Sequence, residues 1–434
     1  MIDSSNNCAK YVKIYGPAGE VTLPQEVKTY DLVLEAMGST CYCYRIEGDG
    51  EYAGHRLKEF CTSCSERDEN GAVIINASLP SPQYLAFMNM SEPAVCLAGS
   101  YDHAQATFFE KPVLYDTSLG KCYLYQKVAG KMVSDFMAEK RLMWKEHLCQ
   151  VLRVMVFVLN DLQKIHEANM VHLDMKRENT FMLFVDNEKD FRCRSIDLGS
   201  CMKFPSKQGC KQGWKDLAQK KFASTERVYL GEDIKAAKEF LKNNDDDEKK
   251  KNILFWLDLK ACSFMMFELL FDGNSPMLGS SVEIKNALKI FFCKQAETSE
   301  NPIHYLDIYA RLCAIVDRSF RFPYRKKKAT FYPLSEFYPL SEFRLDLYRL
   351  LAILGDDKLT PDEKEEKDAV NRDKLIHDDI SVYCTELLKN REKNQEWSFG
   401  DVLIDYENFI NNPNTKLDEC SVAGYYKHLL IQYL

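Results

Sequence analysis

No stretch of this chain runs for the ~18 to 20 uncharged apolar residues that crossing a bilayer requires. The two best candidates, LCQVLRVMVFVLNDLQKIH and ILFWLDLKACSFMMFELLF, are interrupted by Arg153 in the first and by Asp258 and Lys260 in the second. The opening residues, MIDSSNNCAKYVK, lack the apolar centre of a secretory signal. These absences argue against membrane association and point to the cytoplasm. A basic excess is missing too: the formal net charge is -8 and charges of both signs interleave along the chain. Nucleic acid is therefore not expected as the main partner. The sixteen cysteines are scattered, many in apolar settings such as LKACSFMMF, and read as reduced thiols rather than a disulfide framework.

Two cysteine pairs stand closer together, Cys41-x-Cys43 and Cys61-x-x-Cys64. A hairpin of residues 41–47 and 55–61 about EGDGEYAG would bring the pairs near one another, which leaves a zinc site open. Neither the spacing nor the hairpin fixes four thiolates, however, and small apolar residues at strand edges ask for less.

What is present is the composition of a globular protein, 46% hydrophobic and 28% charged, over 434 residues. That length exceeds one typical domain, so two lobes sharing a sizeable core are expected. Residues 1–30, with Gly16, Pro17, Gly19 and Pro24, read as a leader strand or hairpin. YDLVLEA, CYCYRIE and GHRLKEF are short, alternating or β-branched, and separated by glycine-bearing turns, the pattern of an antiparallel sheet. PVLYDT and KCYLYQKV, joined by SLGK, form a second hairpin. PSPQYLAFMNMSEPAVCLAGSYDHAQA is the one place for a helix in this half.

From about residue 131 the pattern turns helical. EHLCQVLRVMVFVLNDLQKIHEA and ILFWLDLKACSFMMFELLF repeat apolar residues at spacings of three and four. GEDIKAAKEFLKNNDDDEKKKN, about 231–252, reads as a charge-dense insertion forming a solvated helix and loop. The hexapeptide YPLSEF occurs at 332–337 and again at 338–343, a duplication that lengthens a loop or a helix start. Beyond residue 355 a polar helical tail begins, and its later apolar faces should dock on something. The expected organisation is a leader segment at 1–30, a β-rich lobe at 31–128, a helical lobe at 129–345 and a helical extension at 346–434.

One loop carries chemistry. VHLDMKREN, residues 171–179, supplies Asp174 to accept a proton, Lys176 to neutralise a moving phosphate and Asn179 to offer a neutral oxygen to a metal ion. The bland alternative is a polar loop capping a buried helix, with His172 a satisfied core histidine. SIDLGS follows, with Asp197 placed 23 residues after Asp174 and a hairpin of FMLFV and DFRCRSI between them. FASTERV comes next.

In this order the motifs resemble the protein kinase family, of serine/threonine type with a divergent glycine-rich loop, over roughly residues 31–345. The resemblance implies an α+β, two-lobed protein-kinase-like fold: a small antiparallel β-rich N-lobe and a larger α-helical C-lobe, here with a helical C-terminal tail. It implies ATP and Mg2+ as cofactors, a protein substrate, and phosphoryl transfer to Ser/Thr hydroxyls. Asp174, Lys176 and Lys58 become the catalytic residues, with Asn179 and Asp197 holding the metal. Gly38, Cys43, Lys58, Glu92 and Val128 become nucleotide-binding positions, Lys58 in GHRLKEF taking the α- and β-phosphates. Glu226 matches the acid that closes the activation segment, with Arg325 as candidate partner, and Asp258 matches the Asp that holds the catalytic loop by its backbone.

Several positions depart from the family. EAMGSTCYC keeps only Gly38 of the phosphate-covering glycines. Arg56 stands where a small residue usually roofs adenine, so its side chain either crowds the base or stacks on it. Leu173 replaces the Arg that answers an activation-segment phosphate, which predicts activity independent of such phosphorylation. Pro93 follows Glu92 and limits a helix to starting there, so Asp102 is the alternative partner for Lys58. These departures keep two other readings open: a pseudokinase that binds without turnover, and a small-molecule phosphotransferase of related fold.

Overall fold

The computed structural model describes residues 11–15, 27–37, 41–50, 52–60, 73–76, 112–115, 122–125, 131–139, 143–185, 190–195, 201–205, 210–219, 224–271, 280–296, 302–323, 337–390 and 408. The fold is α+β, with strands first and helices after. Seven strands form one sheet: β1 (Tyr11–Tyr15), β2 (Val27–Met37), β3 (Cys41–Glu47), β4 (Arg56–Phe60), β5 (Val73–Asn76), β6 (Pro112–Tyr115) and β7 (Cys122–Tyr125), in the order β5-β1-β2-β3-β4-β7-β6. All neighbours are antiparallel except β1 and β5, which run parallel.

Alternation explains this sheet. Tyr44, Ile46 and Leu57 are buried while Arg45, Glu47 and Arg56 take the opposite face, and the β3–β4 register pairs Tyr44 with Leu57 and Arg45 with Arg56. The β3–β4 and β6–β7 hairpins lie where the alternating runs placed them. The turn between β3 and β4 uses Gly48 and Gly50 at φ 109° and 135°, conformations that a Cβ would strain. β1 pairs with β2, so residues 11–15 belong to the same sheet as the segment after residue 30. The helix expected at PSPQYLAFMNM and the Cys61/Cys64 pair lie outside the described residues.

Helices dominate the rest. After β8 (Lys131–Met132) come α1 (Val133–Glu139) and α2 (Trp144–Glu167), then β9 (Met170–Val171), a 3-10 turn at Arg177–Asn179, the hairpin β10 (Thr180–Val185) with β11 (Asp190–Ser195), and β12 (Met202–Lys203). There follow α3 (Lys211–Gln219), α4 (Ser224–Asn243), α5 (Asp247–Leu270), α6 (Ser281–Ala296), α7 (Pro302–Phe320), α8 (Leu340–Ile353) and α9 (Lys364–Asn390). Asp246 caps α5, its carboxylate accepting the Lys249 N–H at 3.2 Å. α5 is then apolar and buried on nearly every face, as a helix at the centre of a bundle must be. Against it pack α2, α4 and α7, and the Trp256 indole donates to the Ser319 carbonyl at 2.8 Å.

One sequence expectation changes here. The charge-dense stretch at 231–252 is not simply solvated: it forms the end of α4 and the start of α5, with Ala237, Leu241 and Lys250 buried. Its period of apolar residues is sparse, yet Lys250 hides its stem, its ammonium 5.3 Å from the Trp214 ring and 3.2 Å from Asp247. The second YPLSEF copy starts α8, with Pro339 as its N-cap and Tyr338 and Phe343 buried. α8 runs without a break across residues 345–346. Among the described residues no helix is long and apolar enough to cross a membrane.

Candidate functional site

The chain reaches the VHLDMKREN loop by ending α2 sharply. Asn169 adopts the left-handed conformation at φ 57°, which asparagine tolerates better than most residues. Its N–H donates to the His166 carbonyl at 2.9 Å, and its own carbonyl accepts the Phe204 N–H at 3.0 Å. β9 then pairs with β12, so the segment after SIDLGS is tied to the strand that enters the loop.

Asp258 of α5 fixes the next two residues. Its carboxylate, 1% exposed, accepts the His172 N–H at 2.8 Å and the Leu173 N–H at 2.7 Å. His166, from the last turn of α2, donates Nε2–H to the same carboxylate at 2.9 Å and stacks on Phe255 at 4.0 Å between ring centroids. Leu173 is held at φ 59°, a region that costs a branched side chain on the order of 1 to 3 kcal/mol. Sequence reasoning anticipated the Asp258 contact and missed His166. The only signal for it was a His at the polar end of an amphipathic run.

Asp174, Lys176 and Asn179 are brought together as expected. Asp174 is 6% exposed, and its N–H donates to His172 Nδ1 at 3.2 Å, so the His172 ring proton sits on Nε2. The Asp174 Oδ2 accepts from Lys176 Nζ at 3.0 Å and from Asn179 Nδ2 at 3.1 Å. The same amide donates to the Asp174 carbonyl at 2.9 Å. One carboxylate oxygen is therefore fully engaged, whereas the other, Oδ1, is buried without a hydrogen-bond partner among the described residues. Such an orphan is costly unless something else arrives to meet it. Asn179 Oδ1 enters none of these bonds, and an amide oxygen is the hard donor that magnesium accepts.

The hairpin positions the next motif. Thr180 pairs with Ser195 at the end of the β10–β11 ladder, and the Ser195 N–H donates to the buried Asp161 carboxylate at 3.1 Å. Asp197 lies two residues beyond Ser195 and outside the described residues, as do Gly38, Glu92, Asp102, Val128 and Arg325. Glu226 falls in the first turn of α4. Among the described residues no group of three or more His, Cys, Asp or Glu converges on one point.

In the sheet, the Lys58 backbone pairs with Cys43 of β3 and with Tyr123 of β7, near the middle of the seven strands. Arg56 is two residues away on β4. Its Nη1 donates to the Gly54 carbonyl at 2.8 Å and its Nε is paired with the Glu35 carboxylate, which Arg45 also approaches at 3.5 Å. The guanidinium is thus committed to the protein, a partner that sequence reasoning did not foresee. Glu35 sits at the β2 bulge between Leu34 and Ala36, and that irregularity cannot be read from residue types.

No protein-family profile matches the chain, and no curated protein matches it. Among solved structures, a double-mutant form of the Mycobacterium tuberculosis PknI kinase domain is similar with a TM-score of 0.41 at 13% identity, over 74% of this chain and 95% of that one. A likeness of that size decides nothing about chemistry, which rests on the loop geometry.

Proposed function

We propose that this chain is a two-lobed, protein-kinase-like phosphotransferase that moves the γ-phosphoryl group of ATP to Ser or Thr hydroxyls of a protein. The observation that carries this reading is the asymmetry of Asp174. With Oδ2 pinned by Lys176 and Asn179, the carboxylate cannot rotate, and its other oxygen, unpartnered among the described residues, has one fixed direction in which to accept a hydroxyl proton. Lys176, 3.0 Å away, brings the positive charge that a transferring phosphoryl group needs. Asp258 and His166 fix the backbone beneath, so alignment is established before an acceptor arrives.

Asn179 and Asp197 would hold Mg2+, whose chemistry is to neutralise phosphate oxygens, and Lys58 would take the α- and β-phosphates. Gly38, Cys43, Glu92 and Val128 are the proposed surroundings of the nucleotide. The test is transfer of label from γ-labelled ATP with magnesium to a generic protein acceptor, beside Asp174→Ala. Label on Ser or Thr from the unmodified protein alone supports the reading; equal transfer by both proteins refutes it.

A second reading, a nucleotide- or partner-binding pseudokinase, is favoured by the Arg56–Glu35 ion pair together with the single glycine of the phosphate-covering loop. Thermal stabilisation by ATP without magnesium, and with no turnover, would select it.

A further inference from the structure

The tail helix α9 meets α7 through ionisable groups. His377 on α9 is 4% exposed, with Nδ1 2.6 Å from Asp307 Oδ2 and Nε2 3.1 Å from His304 Nδ1 in the first turn of α7. A carboxylate only accepts, so His377 Nδ1 carries a hydrogen. Between the two rings there is room for one hydrogen, with one nitrogen donating and the other accepting. The line Asp307, His377, His304 therefore accommodates a single imidazolium, balanced by Asp307. A second would set two N–H groups against each other at 3.1 Å.

The surrounding charges do not relieve that conflict. On α7, Arg311 donates to Asp307 at 3.0 Å and reaches Asp373 of α9 at 3.3 Å; Arg349 of α8 also holds Asp373, at 3.0 Å. These pairs persist while their carboxylates are ionised, so they do not change as His304 titrates. Asp378 on α9 and Asp307 favour a charge on His304, whereas Lys145 on α2 opposes it.

We propose that the Asp307–His377–His304 line is a proton-operated latch: acidification releases α9 from α7 by placing positive charge on both imidazoles. Burial, with the neighbouring His377 second, pushes His304 down to about 4 from an ordinary 6.5. Burial pushes the Asp307 carboxyl up, but Arg311 and His377 outweigh it and hold it low, so the acceptor stays charged. A group whose docked value lies below its free value resists protonation only while docked. Docking is complete above pH 6.5 and weakens by about tenfold per pH unit as pH falls from 6.5 toward 4.

Hydrogen exchange of the intact chain from pH 7.5 to 4.5, normalised for the intrinsic pH dependence of exchange, tests this. Peptides of 364–390 should open about tenfold more per unit below 6.5, while those of 247–270 should not. His304→Gln keeps a hydrogen-bonding group beside His377 without a titrating charge and should flatten the response. Lys145→Met, at an exposed position, should leave docking at pH 7.5 unchanged and move release to lower pH. A flat wild-type profile, or a wild-type slope retained in both variants, overturns the latch.

Discussion

Asp258 Oδ1 accepts the N–H of Leu173 at 2.7 Å, and Leu173 stands at φ 59°. A residue on the central helix thus holds the residue before Asp174 in a conformation that leucine avoids when free. With Oδ2 taking both His172 N–H and His166 Nε2–H, Asp258 satisfies three donors at once.

Asp258→Asn is therefore expected to be damaging despite its near-identical shape. The replacing amide turns one acceptor into a donor facing a donor, at a cost of about 1 to 3 kcal/mol for each group left unmet in the interior. Urea denaturation should show that loss, and phosphotransfer should fall further than stability does, because the displaced loop carries Asp174. Unchanged transfer in a folded Asp258→Asn protein would contradict the positioning role.

Asp174→Asn is expected to behave in the opposite way. Its Oδ1 has no hydrogen-bond partner to lose among the described residues, and the amide can still accept from Lys176 through its oxygen. Thermal unfolding should stay close to that of the unmodified protein while transfer drops by about 10²- to 10⁴-fold, the usual worth of a positioned base. A large stability loss without a kinetic loss would make Asp174 a structural residue and remove the main support for the proposed activity.

Leu173 shows where sequence and structure part. Its standing where the resembled family has Arg was legible, and so was the order Asp174, Lys176, Asn179, because fixed offsets in one loop survive any tertiary context. The two long helices were legible from apolar period, and the hairpins from alternation. What could not be read was long-range pairing. His166 with Asp258 spans two helices, Arg56 with Glu35 depends on a bulge, and the burial of Lys250 depends on Trp214. Leu173 itself is 2% exposed. Introducing with Leu173→Arg the residue of the kinase family that the motifs resemble should thus cost several kcal/mol in urea denaturation by burying an unpaired charge, and should not create a phosphate-dependent enzyme.

Arg56 offers a sharper test of the proposed nucleotide site. Its guanidinium is tied to Glu35 and Gly54 on the strand that also carries Lys58. Arg56→Ala, which introduces the small residue typical of the kinase family that the motifs resemble, is expected to tighten ATP binding several-fold in calorimetry, with little change in stability, since partly exposed ion pairs contribute about 0 to 1 kcal/mol. Weaker binding would instead mean that the arginine stacks on the base.

The ion pair between Lys260 and Asp233 ties α5 to α4, the helix that begins in FASTER. Lys260 is 7% exposed, and its ammonium lies 5.3 Å from the Trp256 ring, 6.0 Å from Phe264 and 5.2 Å from Phe320. Asp233 is nearer solvent, so the two partners are not equivalent. Asp233→Ala strands the buried ammonium, and only the ring faces remain to compensate it. The cost should approach, without reaching, the ~3 to 5 kcal/mol seen when a fully buried pair is broken. Lys260→Met keeps the stem volume among the three rings and leaves behind a carboxylate that water can reach, so it should cost less. Urea denaturation of the two single variants and of the double variant separates these terms: the double should be more stable than Asp233→Ala alone. If Lys260→Met proves the worse of the two, the ammonium contributes through the rings more than through Asp233, and α4 is held by aromatic contact.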